Sequence, residues 1–439
     1  MGAHVARAAA INNETSCDVL VVGGGPSGST ISALLAERGR KVVMVEKDHH
    51  PRFHIGESLL PMNLPLFAQL GLGEDVARIG MVKYGAEFIS PHHNKSVTFD
   101  FANALDKNYP YAYQVRRSVL DELLFKNAIA KGAAAIEGCR VTEVEFLRGG
   151  GVRATGEAED GSERHWQARF LVDASGRDTL LASRLGLKQR NRRHHSAALF
   201  GHFSGAKRLP GKQEGNITVF WFDVGWFWFI PLSDGSTSVG AVCRPDYIKS
   251  RKTDLNTFFF DTIAMCPAIA DRLKDATLLA PVSATGNYSY RSARITGESF
   301  IMLGDAFAFI DPIFSAGVYL AMSSAFLGAD VVETCLDHPR RAKRALRHFD
   351  AESRRGIGTF TWFIYRATRP ALRNMFMSPH NYFRIEEAML SMLAGDIFRP
   401  SSIRARLLVF KVIYYISSLF TMKTSYLAWR QHRRNLQAG

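Results

Sequence analysis

"CDVLVVGGGPSGSTISALLAERGRKVVMVEK", residues 17–47, is the stretch whose reading decides the fold. Residues 18–22 form a short apolar run rich in valine and leucine, the pattern of a buried strand. Residues 23–28 are a glycine-rich turn, 29–38 read as a helix, and 41–46 as a second strand. The three glycines are spaced Gly23-x-Gly25-x-x-Gly28. Gly23 permits the turn, and Gly25 lets the backbone approach a pyrophosphate. Gly28 lets the helix lie close on the strand, so that Ser27 and the helix N-terminus face the phosphates. Glu46 ends the second strand, where a carboxylate holds a pair of ribose hydroxyls, with Lys47 beside it. A chance glycine turn would show the three glycines without the flanking strands and acid.

A second loop carries the same kind of chemistry. "MLGDAFAFIDPIFSAGVYLAM", residues 302–322, delivers Gly304-Asp305 from a strand. It then passes through Asp311-Pro312 and Ser315-Ala316-Gly317 into a helix. Asp305 is placed to accept from a hydroxyl, and the helix start near Gly317 offers backbone N–H groups to an anion. A purely structural strand–helix turn satisfies the same residues. "FLVDASGR", 170–177, is a strand ending in a glycine turn, with Asp173 and Gly176 at its end.

Elsewhere Gly149–Gly151 and Gly161 mark hairpin turns, and "KQRNRRHH", 188–195, reads as a polar linker. Aromatic and β-branched runs then continue to Cys243 as a sheet. Within them "GWFWFIPL", 225–232, sets Trp226, Trp228 and Ile230 on one face of a strand, which Pro231 ends. Beyond Asp305 the chain reads as helical almost to its end.

The chain has 439 residues, 46% hydrophobic and 22% charged, enough for a large core and more than one domain. Cys17, Cys139, Cys243, Cys266 and Cys335 are scattered without a CxxC, so neither a disulfide framework nor a metal site is expected, and a cytoplasmic location is. Residues 1–16 lack the apolar core of a secretory signal and read as an arm. No window reaches the ~18 uninterrupted apolar residues of a membrane-spanning helix. The net charge is +14, and residues 340–373 hold ten Lys/Arg against two acids. That run is either a solvated face or a dock for an acidic partner. It comes with no nucleic-acid recognition motif. In "SIRARLLVFKVIYYISSLFTMK", 402–423, Arg404, Lys411 and Ser418 form a narrow polar stripe on a broadly apolar helix. Such a helix packs on the body or meets a membrane surface or partner.

Taken together, the two loops resemble the FAD-binding halves of glutathione-reductase-type flavoproteins, in the aromatic hydroxylase branch. "PRFHIGESLLP" (51–61), Lys83 in "MVKYGAEF", "QVRRSVLDELL" (114–124) and Trp226-x-Trp228-x-Ile230-Pro231 narrow this. That set is similar to the flavin-dependent halogenases acting on phenols and carrier-bound pyrroles. The resemblance implies an α/β fold with a Rossmann-like FAD-binding domain over 17–190 and 280–335. A mixed β-sheet substrate domain would occupy 191–279, with part of 80–115, and a helical region 336–439.

It also implies roles. FAD, reduced by a separate NAD(P)H flavin reductase, would contact Gly23, Gly25, Ser27, Gly28, Glu46, Lys47, Glu57, Ser58, Arg117, Asp173, Asp305, Pro312 and Gly317. Chloride or bromide would sit at Ser315, Ala316 and Gly317. Trp226, Trp228, Ile230, Pro231 and Phe314 would line the active site and part substrate from flavin. Lys83 would receive hypohalous acid and deliver it to an aromatic substrate, free or on an acyl or peptidyl carrier protein, with Lys95 the fallback and Arg116 the alternative to Arg117. Tryptophan-specific members place a glutamate where Phe314 stands, which argues for a more electron-rich ring. A flavin monooxygenase or geranylgeranyl-reductase-like enzyme would share the nucleotide loops without Lys83 or the tryptophan pair. A flavoprotein that keeps FAD only as a scaffold would share them too. An exposed lysine and a buried aromatic strand remain the plainer readings of those residues.

Overall fold

The computed structural model describes residues 14–420 except 192–193, 287–288, 380, 382–383 and 399–402; beyond 420 it describes 422, 426–427, 429–430 and 434. The run at 18–22 is the end of a longer strand, Glu14–Val22. Glu14, Thr15 and Ser16 pair with His165, Trp166 and Gln167, so the expected arm gives way to sheet at residue 14. Residues 1–13 of that arm lie outside the described residues.

Five strands build the first sheet's parallel core, in the order Phe300–Met302, Glu163–Asp173, Glu14–Val22, Val42–Val45 and Ala134–Ile136. Their valines and leucines are buried on both faces, as a parallel sheet covered by helices requires. The helix Pro26–Glu37 opens with proline in its first turn, where a missing N–H costs nothing. It packs beside the helix Gly317–Asp337. That second helix is, among the described residues, long and apolar enough to cross a membrane, and half of its apolar window is buried inside the fold. Strands Cys139–Phe146 and Val152–Ala158 extend the sheet as antiparallel hairpins turning at Gly149–Gly151 and Gly161.

The second sheet runs Thr277–Leu278, Ala197–Ser204, Thr237–Cys243, Gly225–Pro231, Ile217–Phe222, Gly85–Ser90 and Lys95–Asp100, and Ser283–Thr285 also pairs with Ala197–Ser204. Both faces of its central strands, Ile217–Phe222, Gly225–Pro231 and Thr237–Cys243, are buried. Trp221, Trp226, Trp228 and Ile230 belong to a core shared with the C-terminal helices Pro339–Ile364, Pro370–Met377, Ile385–Leu393 and Ile403–Phe420. Phe220, Phe222, Phe227 and Phe229 pack on the other side against Phe258, Phe259 and Ile269. The period of two therefore sorts indoles to one face and phenyls to the other. The stretch expected to be a linker is tied into the fold at both ends: Lys188–Arg190 is a strand paired with Tyr290–Ser292, and His194 bonds Asp311 at 2.7 Å.

Candidate active site

A cleft of about 470 Å³ opens between the two sheets. Of the residues singled out from sequence, it is lined by Gly23, Gly25, Ser27, Glu46, Lys47, Glu57, Ser58, Arg117, Asp305, Pro312, Ser315, Gly317, Trp226, Trp228 and Ile230. Five separate segments thus converge on one space.

The glycine turn is shaped by contacts that exclude a side chain. Gly23 has φ +105°, and a Cβ there would lie 2.3 Å from the Ala174 carbonyl oxygen. A Cβ on Gly28 would lie 1.8 Å from the Gly23 oxygen, so Gly28 serves the helix–strand packing and does not face the cleft. Gly25 differs: a Cβ would meet only Arg52 Nη2, at 3.6 Å, so its bare backbone borders open space. This is where a pyrophosphate fits, at the start of a helix.

Glu46 accepts from the Gly24 N–H at 2.7 Å and the Asp48 N–H at 3.1 Å, and pairs with Arg52 at 3.1 Å. Burial works against its charge, but Arg52 and those two N–H groups outweigh it and hold the carboxyl below its usual range. Arg52 reaches on to Asp121 at 3.6 Å, and Asp121 takes a two-pronged contact from Arg117 at 2.8 and 2.9 Å. Arg117 Nη1 donates to the Ile55 carbonyl at 2.6 Å. A row of alternating charges, Glu46–Arg52–Asp121–Arg117, therefore runs along the cleft. Arg52 and Asp121 escaped the sequence reading, although Arg117 and Asp121 stand four residues apart on one helix, the spacing of an ion pair. Arg116 turns away to Asp234 and Ser236. Lys47 bonds Asp178 at 2.7 Å at the cleft's rim.

Asp305 is half-buried at the cleft, where desolvation pushes its carboxyl up to about 6 against the pull of Arg117 and Arg177. Glu57 meets His202 Nε2 at 3.0 Å, a partner with no sequence signal because it comes from the second sheet. Asp173 is corrected: its carboxylate does not reach the cleft, but accepts from Ser175 N and Oγ and from Leu181 N, fixing the turn that presents Ser175 and Gly176.

The loop before Gly317 is held by Asp311, which accepts from Ile313 N and Ser196 Oγ at 3.1 Å each. Ser315 is left-handed, φ +55°, and turns the chain into the helix. This turn separates its neighbours. Ser315 and Gly317 face the cleft, while Phe314 packs edge-on to Phe363 at 6.4 Å and Ala316 borders an adjoining cavity of about 310 Å³. Pro231, the last residue of its strand, pairs with Thr237 and likewise stands off the cleft. Trp228 Nε1 donates to Ser238 Oγ at 3.1 Å, and its ring fills the space left by Gly240.

Lys83 is 1% exposed. Its Nζ donates to Ser58 Oγ at 3.0 Å and the Leu59 carbonyl at 3.1 Å, and lies 5.2 Å from the Phe101 ring centre. Among the described residues no carboxylate bonds it, and desolvation brings the amine down to about 7. It does not border the cleft; Ser58 stands between them. Lys95 is exposed and bonds Ser378 at 3.3 Å, outside this arrangement.

The chain matches the family model described as tryptophan halogenase over residues 18–107 and 92–371. It is 28% identical over 406 residues to a 1H-pyrrole-2-carbonyl-[peptidyl-carrier protein] chlorinase of Pseudomonas fluorescens, covering 87% of this chain and 89% of that one. It is 36% identical to a tryptophan 2-halogenase of Chondromyces crocatus over 73% of this chain, and spans 62% of that protein's length. The solved structure of the myxobacterial chondrochloren halogenase, an FAD-dependent halogenase, superposes with a TM-score of 0.77 at 32% identity, over 89% of this chain and 99% of that one. A glycine-turn cleft bordered by two indoles, and these likenesses, lead to one conclusion: the chain belongs to the flavin-dependent halogenases, FAD-using enzymes that draw their halogen from halide.

Proposed function

We propose that the chain halogenates an electron-rich aromatic, a phenol or a pyrrole, presented on an acyl or peptidyl carrier protein, and that Lys83 delivers the halogen. The observation that carries this reading is the Lys83 amine: buried, bonded among the described residues only to neutral oxygens, and brought to about 7 by desolvation. An amine so poised is partly unprotonated at neutral pH and is a nucleophile. FAD, reduced by a separate NAD(P)H flavin reductase and bound along Gly25, Glu46, Arg117 and Asp305, supplies hypohalous acid from oxygen and chloride or bromide. The Gly317 N–H, at the start of its helix, holds the halide beside Ser315. Trp226, Trp228 and Ile230 wall the flavin side from the substrate.

The neutral Lys83 nitrogen attacks the halogen of hypohalous acid: an N–X bond forms, the O–X bond breaks, and water leaves. The ring carbon then takes the halogen, and the ring's proton returns to the nitrogen. The carrier reading rests on the likeness to the carrier-dependent pyrrole chlorinase and on the exposed cations that begin the helix Pro339–Ile364, Arg340, Arg341, Lys343 and Arg344.

The test pairs Lys83→Ala with Lys83→Arg, supplied with reductase, NADH and bromide. Halogenated product, read by mass spectrometry, should fall by ~10²–10⁴ in both. FAD affinity, flavin reoxidation and release of free hypohalous acid should stay as in the parent enzyme. Normal halogenation by the alanine variant would falsify the assignment. Slower reoxidation as well would make Lys83 a support for the flavin site.

A further inference from the structure

The helix Ile403–Phe420 buries one face and leaves the opposite one bare. Ile403, Leu407, Phe410 and Tyr414 recur at helical spacing and pack into the core beneath the second sheet. Leu408, Val412, Tyr415, Ile416 and Leu419 occupy the outer side, where Leu408 is 63% and Leu419 66% exposed, and Phe420 at the end is 88% exposed. A soluble helix ordinarily turns charge outward, so a continuous apolar outer face marks a contact surface.

The flanks say what kind of surface. On a helical projection Arg404 and Lys411 border the apolar face on one edge and Arg406 on the other. Arg366 and Lys411 stack over Trp362 at 4.4 and 5.2 Å, which holds cations and indole together at the edge. From residue 403 to 439 the sequence has seven Lys/Arg and no Asp or Glu. A second copy laid on this face would bring the same uncompensated cations together. An anionic lipid surface answers both features, taking the apolar side chains at the acyl boundary and the cations at the headgroups.

We propose that the helix Ile403–Phe420 lies flat on an anionic membrane surface through Leu408, Val412, Tyr415, Ile416, Leu419 and Phe420. The enzyme then works as a peripheral protein, with its cleft on a separate part of the molecule. This inference does not rest on the assignment of Lys83 or of a substrate.

The experiment is flotation of the full chain with vesicles of phosphatidylcholine alone or mixed with phosphatidylglycerol. Binding should be at least about tenfold stronger to the anionic vesicles and should weaken with salt. Leu408→Glu/Val412→Glu/Leu419→Glu should abolish it while circular dichroism and melting stay unchanged, since all three side chains are exposed. Arg404→Gln/Lys411→Gln keeps the apolar face and should lower the preference for anionic lipid. The proposal is overturned if the parent chain ignores anionic vesicles or if the triple variant binds them equally. It is also overturned if the parent is a dimer that the triple variant dissolves, without lipid binding, for then a second copy covers the face.

Discussion

Lys83 carries a cost to the fold that can be measured apart from any reaction. Burial lowers its amine from 10.5 to about 7, so between those values the unfolded chain holds a proton that the folded chain does not. Stability therefore rises with pH across that window, and the burden is fully present below about 7. Lys83→Met should be more stable than the parent in urea at about pH 6, with the gap closing towards about pH 10. An equal gap at both would mean that the amine is solvated. The sequence placed Lys83 by likeness to a motif, but nothing in "MVKYGAEF" shows burial. That comes from Phe101, whose ring centre lies 5.2 Å from the amine, and from Ala112, which pairs with Lys83 across two strands. Glu57–His202 was hidden for the same reason.

At the scale of the element, the glycine turn was read almost completely, because its logic is local. Gly23, Gly25 and Gly28 divide three tasks within six residues, and the structure assigns a separate contact to each. Gly25→Ala meets no protein atom closer than 3.6 Å, so it should fold normally. Its methyl would stand where the pyrophosphate fits, and FAD titration should show weaker binding by about tenfold or more, a modest steric loss of some 1–3 kcal/mol. Unchanged affinity would remove the turn from the site. The tryptophan strand was legible by its period, and Trp226, Trp228 and Ile230 do share a face. Phe314 and Pro231 stand off the cleft because each depends on a local backbone conformation that residue type alone does not show. A left-handed Ser315 parts Phe314 from the cleft, and pairing with Thr237 holds Pro231 in the sheet.

Across the whole molecule, the basic run at 340–373 divides in two. Arg354 pairs with Asp350, Arg355 with Glu352, and Arg366 with the Trp362 and Tyr415 rings, whereas Arg340, Arg341, Lys343, Arg344 and Arg347 stay exposed. Charge reversal at Arg340, Arg341 and Arg344 should slow turnover of a carrier-bound aromatic at low salt and matter less at high salt, where screening already weakens the contact. Rates that ignore ionic strength would leave these residues as a solvated face. Composition revealed the charge but not this division, which depends on which helix side meets the core. The chain's two sheets were foreseen, and their meeting was expected only through the resemblance, since a cleft belongs to neither sequence segment. One consequence lies in the row Glu46–Arg52–Asp121–Arg117. Each ion is neutralised by the next protein group, so the row's shape does not depend on a bound molecule. Folding, and not the arriving flavin, meets the expense of order there. A cofactor that commutes between a reductase and this cleft, as proposed, then finds a berth already set at every visit, and its residence time is governed by departure rather than by rearrangement on arrival.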